Sequence, residues 1–182
     1  VYVPQLYAVE YHADGTLAQV CSTDEDARFP VLKRIVKKLP PPLTNFIVPF
    51  VDVVHNRGVI EIMRGCTRGC RFCHAGMVTR PVRERNVLEI TEAIGALIAS
   101  TGYEEVALLS LSSSDYRDIG PLVEAIRAKF SHLNLNISLP SLRIETVSVD
   151  LMDQLMASGR RGGFTLAPEA ASERMREIIN KP

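Results

Sequence analysis

The chain has 182 residues, of which 46% are hydrophobic, so it is long enough for one sizeable core and too apolar for a disordered protein. Its 21 basic and 21 acidic residues give a formal net charge of zero, so overall charge favours neither a nucleic acid nor an acidic membrane as partner. No run approaches the roughly 18 apolar residues of a membrane-spanning helix, and no basic-then-apolar signal is present, so we expect a cytoplasmic protein.

Both ends of the chain indicate a fragment of a longer protein. The first residue is Val1 rather than Met, and residues 180–182 directly follow an amphipathic helical stretch. We therefore expect that further sequence precedes and follows this chain in its parent protein.

Residues 1–56 are predicted to form a first domain that consists of a hairpin and a linker. Two runs of alternating apolar and polar residues flank an Asp14-Gly15 turn, which is typical of a β-hairpin. A basic stretch at 28–38 and three prolines at 40–42 follow. Because proline continues neither a helix nor a central strand, we expect an extended linker there.

Residues 57–182 are predicted to form a second domain in which strands alternate with helices. Short apolar runs predict strands at 58–63, 105–111, 134–139 and 163–167. Amphipathic stretches predict helices at 88–100, 119–130, 150–157 and 172–180. This alternation gives parallel strands joined by crossover helices. Four such units are too few to close an eight-stranded barrel, so we expect an α/β fold, a partial and open TIM-like β/α barrel that is truncated.

Three of the four cysteines, Cys66, Cys70 and Cys73, lie within eight residues directly after the first predicted strand of this domain. In a parallel barrel the loop after a strand lies on the catalytic face. Three thiolates on one short loop can hold three irons of a [4Fe–4S] cubane, which leaves the fourth iron open to a small molecule. We therefore predict that these cysteines are metal ligands, whereas the distant Cys21 is most simply a small apolar residue.

Two other metal sites are compatible with the same cysteines. A structural zinc site would need His74 or His55 as a fourth ligand, although His74 is adjacent to Cys73 and neighbours rarely reach one metal together. A cluster used only for electron transfer would need a fourth cysteine, for which Cys21 is the candidate. A zinc-binding module without catalysis therefore stays an alternative.

The C-x3-C-x2-C spacing, with the aromatic Phe72 before the third cysteine, resembles the signature of the radical S-adenosylmethionine (SAM) superfamily. In that superfamily the open iron chelates the amino and carboxylate groups of SAM. One electron from the reduced cluster then breaks a sulfur–carbon bond and gives a 5′-deoxyadenosyl radical. The resemblance implies two cofactors, a [4Fe–4S] cluster and SAM, and a one-electron donor of the flavodoxin or ferredoxin type as a partner.

Four further stretches, 61–85, 109–116, 138–146 and 165–181, look like the B12-binding-domain-type radical SAM Fe–S oxidoreductases. The resemblance implies an oxidoreductase with a cobalamin-binding-like domain before this chain, the last barrel strands after it, and a radical-SAM-linked partner protein. The cobalamin signature Asp-x-His-x-x-Gly is absent, so cobalamin is expected only through a domain outside this chain. Whether this chain is active by itself stays open.

The resemblance also implies SAM contacts at the ends of the later strands. The superfamily places its amino-group-binding motif after the second strand, and here Ser112, Ser113, Ser114 and Asp115 stand in its place. These hydroxyls are candidate acceptors for the SAM ammonium group, or else the cap of the following helix.

The third and fourth strands end in a second set of candidate SAM contacts. Arg143 can pair with the SAM carboxylate in bidentate geometry, although a surface position is the alternative. Ser138 and Ser141 can reach ribose or carboxylate oxygens. Glu169 can accept hydrogen bonds from ribose hydroxyls, or it favours a helix start through its charge.

Seven arginines lie between residues 57 and 85, against only two glutamates. They form either a solvated basic face or a basic surround for an anionic cluster and the cofactor carboxylate. Binding of phosphate or nucleic acid is a further alternative. The reaction itself therefore stays open, and a methyl- or methylthio-transferase acting on RNA or protein is the alternative to a radical SAM oxidoreductase.

Overall fold

A computed structural model describes residues 2–51, 53–156 and 164–181 of the chain. The last residue of the third predicted helix, 157, and the first residue of the fourth predicted strand, 163, lie outside the described residues. The chain divides into two compact units, Val1–Lys37 and Lys38–Pro182. The domain boundary predicted after residue 56 and this division after Lys37 differ in position.

The first unit is built around the predicted β-hairpin. Strand β1 (Tyr7–Tyr11) pairs antiparallel with strand β2 (Leu17–Ser22). In the turn between them Gly15 has a φ of +83°, and the Asp14 carboxylate accepts a hydrogen bond from the Thr16 hydroxyl at 2.6 Å. The Asp-Gly pattern therefore predicted this turn for the right physical reason, since glycine adopts a left-handed backbone without steric cost.

The second unit contains five strands and five α-helices among the described residues. In chain order they are β3 (Gly58–Glu61), β4 (Met63–Arg64), α1 (His74–Val78), β5 (Arg83–Glu84), α2 (Val87–Thr101), β6 (Glu105–Leu109), α3 (Ile119–Lys129), β7 (Asn136–Ser138), α4 (Val149–Met156) and α5 (Glu173–Ile178). The main sheet has the order β3–β6–β7, and both of its pairings are parallel. This confirms the predicted α/β fold with crossover helices, and no closed barrel forms among the described residues.

Two strands differ from their predicted form. The first predicted strand divides at Ile62, because the Ile62 amide still bonds Leu109 of β6 whereas its carbonyl accepts the Arg85 amide. Beyond Ile62 the chain forms β4, which pairs antiparallel with β5. Of the fourth predicted strand, the described residues 164–167 form one parallel bridge, between Leu166 and Leu142.

The core lies between the main sheet and its covering helices. Helix α2 begins where the Asn86 side chain accepts the Glu89 amide at 2.8 Å, and it ends at Gly102, whose φ is +72°. Its residues Ile90, Ile94 and Leu97 are fully buried. Their spacing of three and four residues places them on one helix face, so burial of this face against the sheet stabilises the unit.

The segment before β3 has no regular secondary structure but belongs to the second unit. The Pro40 carbonyl accepts a hydrogen bond from the buried Arg85 side chain at 2.7 Å. The Thr44 carbonyl accepts one from Ser100 at 2.6 Å, and Leu39 is buried. Residues 39–44 therefore lie against α2 and against Arg85, which follows β5. Of the described residues, none belongs to a helix that is both long and apolar enough to cross a membrane.

Candidate metal centre at the cysteine loop

The three clustered cysteines lie on the loop between β4 and β5, hereafter the cysteine loop (residues 65–82). The pairing of β4 with β5 closes this loop at its base. Gly65 has a φ of +96° there, and a Cβ atom at this position would lie only 3.0 Å from the Pro81 carbonyl oxygen. Glycine is therefore required where the two sides of the loop meet.

Backbone amides of the loop point at two of the sulfur atoms. The Arg68 amide donates to Cys66 Sγ at 3.4 Å, and the Gly76 amide donates to Cys73 Sγ at 3.3 Å. Cys66 and Cys70 are buried, whereas Cys73 is half-buried at the start of α1. Hydrogen bonds to the ligand sulfurs are one of the means by which a protein tunes an iron–sulfur cluster.

The metal ligands predicted from the sequence do not form a gathered site. Within the described ranges, no three or more His, Cys, Asp or Glu side chains gather as ligands of one metal ion. Both candidate zinc ligands, His55 and His74, are exposed. A structural zinc site needs its ligands to converge on one point, and a cubane likewise needs its thiolates to face one cluster. Ligation of a cluster by Cys66, Cys70 and Cys73 stays a prediction.

Arg143 lies buried against the cysteine loop, not on the surface. Its Nη1 donates to Cys70 Sγ at 3.4 Å and its Nη2 donates to Glu145 at 2.8 Å. Its Nε atom is buried and has no hydrogen-bond partner in the described part of the chain. Burial alone would lower the pKa of Arg143, but the contacts with Cys70 and Glu145 outweigh it and raise the pKa. A buried cation with an unused donor fits an anionic group bound at the loop.

A second arginine connects the loop to the end of β6. Arg68 binds the Asp115 carboxylate in bidentate geometry, with Nε–Oδ2 at 2.9 Å and Nη2–Oδ1 at 2.6 Å. Burial would raise the pKa of Asp115, but hydrogen bonds from Arg68 and Ser112 outweigh it and hold the pKa below its usual range. The sequence indicated Asp115 by its position after a strand, but it offered no sign of Arg68, which lies 47 residues away.

The three predicted serines lie between β6 and the end of β7. Ser112 donates to Asp115 at 2.7 Å, and Ser113 donates to the Leu108 carbonyl at 3.0 Å. The Ser114 hydroxyl accepts the Arg143 amide at 3.0 Å. All three are buried; Ser113 and Ser114 lie in a short 3-10 turn, and Ser112 precedes it without a side-chain cap. The Ser114 hydroxyl therefore links the segment after β6 to the segment after β7, whereas the other two hydroxyls bond within the segment after β6.

Of the remaining predicted SAM contacts, Phe72 lies on the cysteine loop beside Cys73, and the other three lie outside this loop. Phe72 is 56% exposed, and Ser141 is exposed with a φ of +62°. Ser138 faces Arg57 at 3.5 Å, and Glu169 forms an ion pair with Lys181 at 2.8 Å. Of these four residues, none forms a hydrogen bond with a cysteine in the described ranges. Their proposed contacts with SAM stay predictions.

The segment after α5 also forms hydrogen bonds with the cysteine loop, and the sequence did not indicate these contacts. The Arg71 amide donates to the Ile179 carbonyl at 2.9 Å, and the Asn180 side chain donates to the Gly69 carbonyl at 2.8 Å. Helix α5 begins at Ser172, whose hydroxyl accepts the Met175 amide, as its N-cap pattern predicted.

A cavity of about 340 Å³ adjoins Arg143 through its partner Glu145. Its walls are formed by Ile144, Glu145, Ala167, Pro168, Arg176 and Lys181. Cavities of this size hold small organic ligands. The cavity therefore has room for a small ligand, and its lining residues come from the segments after β7 and around α5.

Comparison with known proteins places these features in a family. Residues 60–182 match the model described as the radical SAM superfamily. An uncharacterised protein of Methanocaldococcus jannaschii is 36% identical over 178 residues, which cover 94% of this chain and 36% of that protein. The ribosomal protein uS12 methylthiotransferase RimO of Desulfotalea psychrophila is 26% identical over 69% of this chain and 30% of its own length. The threonylcarbamoyladenosine tRNA methylthiotransferase MtaB of Treponema pallidum is 31% identical over 66% of this chain and 25% of its own length. The chain thus spans about a third or less of these relatives.

Proposed function

Because this chain belongs to the radical SAM superfamily, we propose that it is the core of an enzyme that holds a [4Fe–4S] cluster on Cys66, Cys70 and Cys73 and binds SAM beside it. When bound, the reduced cluster supplies the electron that breaks a sulfur–carbon bond of SAM and releases a 5′-deoxyadenosyl radical. The observation that carries the proposal is the buried Arg143, which donates to Cys70 and keeps its Nε without a partner among the described residues.

The residues of the chain would bind, orient and shield these groups. Arg143 can donate its Nε–H to a carboxylate oxygen of SAM while its Nη1 stays on Cys70. The burial of Cys66 and Cys70 keeps water from two of the thiolates. The cavity beside Glu145 is the candidate space for the rest of the cofactor.

The test is anaerobic reconstitution of the chain with iron and sulfide. We expect about four irons per chain in the cubane stoichiometry and, after reduction, an EPR signal of a [4Fe–4S] cluster that changes when SAM is added. Cys70→Ala should abolish the signal and any release of 5′-deoxyadenosine. Cys21→Ala is the matched control, because Cys21 lies in β2 of the other unit, and it should retain both.

Two results would contradict the proposal. One is stoichiometric zinc in place of iron, with no response to SAM, which would indicate the structural zinc module. The other is a normal cluster signal in Cys70→Ala.

A second candidate concerns the reaction that follows the radical. The matched relatives from Desulfotalea psychrophila and Treponema pallidum are named as methylthiotransferases for a ribosomal protein and for tRNA. We therefore propose methylthiolation of RNA or protein as the alternative to an oxidoreductase. Incubation of the reconstituted chain with SAM, dithionite as reductant, sulfide as sulfur source and either tRNA or ribosomal protein, followed by mass spectrometry, distinguishes the two, since only the transferase adds a methylthio group. The same assay with Cys70→Ala is the control.

A one-electron donor of the flavodoxin or ferredoxin type completes the proposal, because the cluster must be reduced. The cysteine loop presents the exposed Phe72 between the half-buried Cys73 and the exposed Arg71, so a donor with acidic surface residues fits this place. Raising the salt concentration should then slow cluster reduction by a protein donor but not by dithionite.

A further inference from the structure

We infer that Arg68 and Asp115 form a positioning pair that fixes the cysteine loop, and Cys66 above all, against the ends of β6 and β7. The contacts that support this pair are independent of any bound group. Its importance for the cluster rests on the proposed function.

The pair belongs to a set of contacts that connects two of the cysteines to the segments after β6 and β7. On one side, the Arg68 amide donates to Cys66 Sγ while its guanidinium binds both oxygens of Asp115. On the other side, Arg143 donates to Cys70 Sγ through Nη1 and to Ser114 through its amide.

Thr146 joins these two halves. Its hydroxyl donates to Ser114 at 2.8 Å, and Ser114 directly precedes Asp115 in the chain. The cysteines are thus connected through the ends of both strands, and each connection begins with an arginine. Substitution of Arg68 should therefore change the accessibility of Cys66 first, and substitution of Arg143 that of Cys70.

The energetics favour positioning over a surface ion pair. The Asp115 side chain is only 4% exposed, whereas that of Arg68 is 36% exposed. A buried carboxylate is costly unless it is paired, so removal of Arg68 leaves an uncompensated charge. The loop must then shift to let water reach Asp115. Because Arg68 lies between Cys66 and Cys70 in the chain, that shift moves both thiols.

The same contacts argue against Asp115 as a free acceptor for the SAM ammonium group. Both of its oxygens already bind Arg68, and Oδ2 also accepts the Ser112 hydroxyl. If Asp115 acted only on SAM, substitution of Arg68 would not alter the loop in the absence of SAM. The two roles are therefore separable in the metal-free chain.

The experiment measures alkylation of each cysteine by iodoacetamide in the metal-free chain, with peptide mass spectrometry as the readout. We expect Arg68→Gln and Asp115→Asn to raise the alkylation rate of Cys66 by at least about tenfold, because a buried pair is broken. Cys21, in the other compact unit, is the internal reference and should not change. Arg117→Gln is the matched control, because the Arg117 side chain is 82% exposed and lies 3.8 Å from its partner Glu84.

Two further variants separate positioning from general destabilisation. Arg68→Lys should recover part of the protection of Cys66, because it restores the charge without the bidentate geometry. In the double variant Arg68→Gln/Asp115→Asn, the alkylation rate of Cys66 should rise less than the two single variants together predict. The reason is that no lone charge stays buried in the double variant. Hydrogen exchange of the β6 amides reports global opening, and it should stay unchanged in Arg68→Lys and Asp115→Asn.

The proposal is overturned if Cys66 in Arg68→Gln reacts at the rate seen in Arg117→Gln. It is also overturned if exchange in β6 rises together with the alkylation of Cys66 in Arg68→Lys or Asp115→Asn, since the pair would then only stabilise the fold. Failure to incorporate iron and sulfide would count against the proposed function alone, because the alkylation experiment contains no metal.

Discussion

The position of Arg143 after the third strand could be predicted from the sequence, whereas the contacts of its side chain could not. The sequence placed it after the third strand of the core, where the superfamily resemblance implied a carboxylate partner. The burial of its side chain and the contact with Cys70 were not predictable, because they depend on a loop 73 residues earlier in the chain. Arg68 was missed for the same reason, since no local pattern connects it with Asp115.

Replacement of Arg143 tests its proposed contact with the SAM carboxylate. Arg143→Lys keeps the charge but loses the planar donor set, so SAM should bind about tenfold to a hundredfold more weakly. A titration of the reconstituted chain with SAM, followed by EPR, measures this change, and Arg117→Lys is the exposed control. Equal SAM affinity in Arg143→Lys and the parent would remove Arg143 from the cofactor site.

Tyr116 gives a prediction on pH. It is buried, its hydroxyl donates to the Arg85 carbonyl at 2.8 Å, and burial with the charges of Asp118 and Glu84 raises its pKa from 10.0 to about 12. The folded state therefore keeps a proton that the unfolded state releases near pH 10, so Tyr116 stabilises the fold below that pH. The free energy of unfolding should fall as the pH rises from 10 to about 12.

Urea unfolding of the metal-free chain between about pH 9 and about pH 12 checks this dependence by comparison with Tyr116→Phe. The lower limit lies below both pKa values of Tyr116, and the upper limit lies at the raised value. The variant should be less stable at pH 9 by about 1 to 2 kcal/mol, because the Arg85 carbonyl loses a buried donor. The difference between the two proteins should shrink toward pH 12. A constant difference would mean that Tyr116 does not titrate late.

At the level of elements, the helices were easier to predict than the strands. The caps and the apolar spacing of α2 are local signals, so both of its ends could be predicted to within one or two residues. The division of the first core strand at Ile62 could not, because it depends on pairing with Arg85 at the far end of the cysteine loop. The fourth predicted strand, at 163–167, had an apolar pattern, but its described residues form one bridge, between Leu166 and Leu142.

The contact between β3 and α2 gives a prediction at this scale. An added Cβ atom at Gly58 would overlap the fully buried Leu97 side chain, so Gly58→Ala should destabilise the chain by about 1 to 3 kcal/mol. Leu97→Ala should cost about 2 to 5 kcal/mol through the cavity that it leaves. Denaturant midpoints measure both changes.

The double variant Gly58→Ala/Leu97→Ala should cost less than the sum of the two, because the new methyl group occupies part of the cavity. Gly120→Ala is the control, because no atom lies within 4 Å of its added Cβ. It should be neutral or stabilising by up to about 1 kcal/mol. Strict additivity in the double variant would mean that Gly58 and Leu97 are not in contact.

At the scale of the whole molecule, composition and strand–helix alternation predicted the α/β class and the open sheet. They did not predict which unit the proline-rich segment joins. That assignment depends on Pro40 and Thr44, whose backbone carbonyls accept hydrogen bonds from side chains much later in the chain. Sequence patterns carry little information on such contacts, because every residue offers a carbonyl group.

Two truncations test the limits of the second unit. A chain of residues 38–182 should unfold cooperatively, because it retains the whole of that compact unit. A chain of residues 57–182 loses the buried Leu39 and the two carbonyl acceptors, so it should be less stable by at least about 2 kcal/mol. Circular dichroism during urea unfolding measures both, and equal midpoints would favour the boundary after residue 56.

The contact between Gly69 and Asn180 has a consequence for how the family varies. A Cβ atom at Gly69 would lie 3.0 Å from the Asn180 amide nitrogen, which in turn donates to the Gly69 carbonyl. A larger residue at position 69 therefore requires a smaller or withdrawn side chain at position 180. Across homologues these two positions should co-vary although 111 residues separate them. Such a correlated pair would reveal, from the substitutions alone, the contact between the segment after α5 and the cysteine loop.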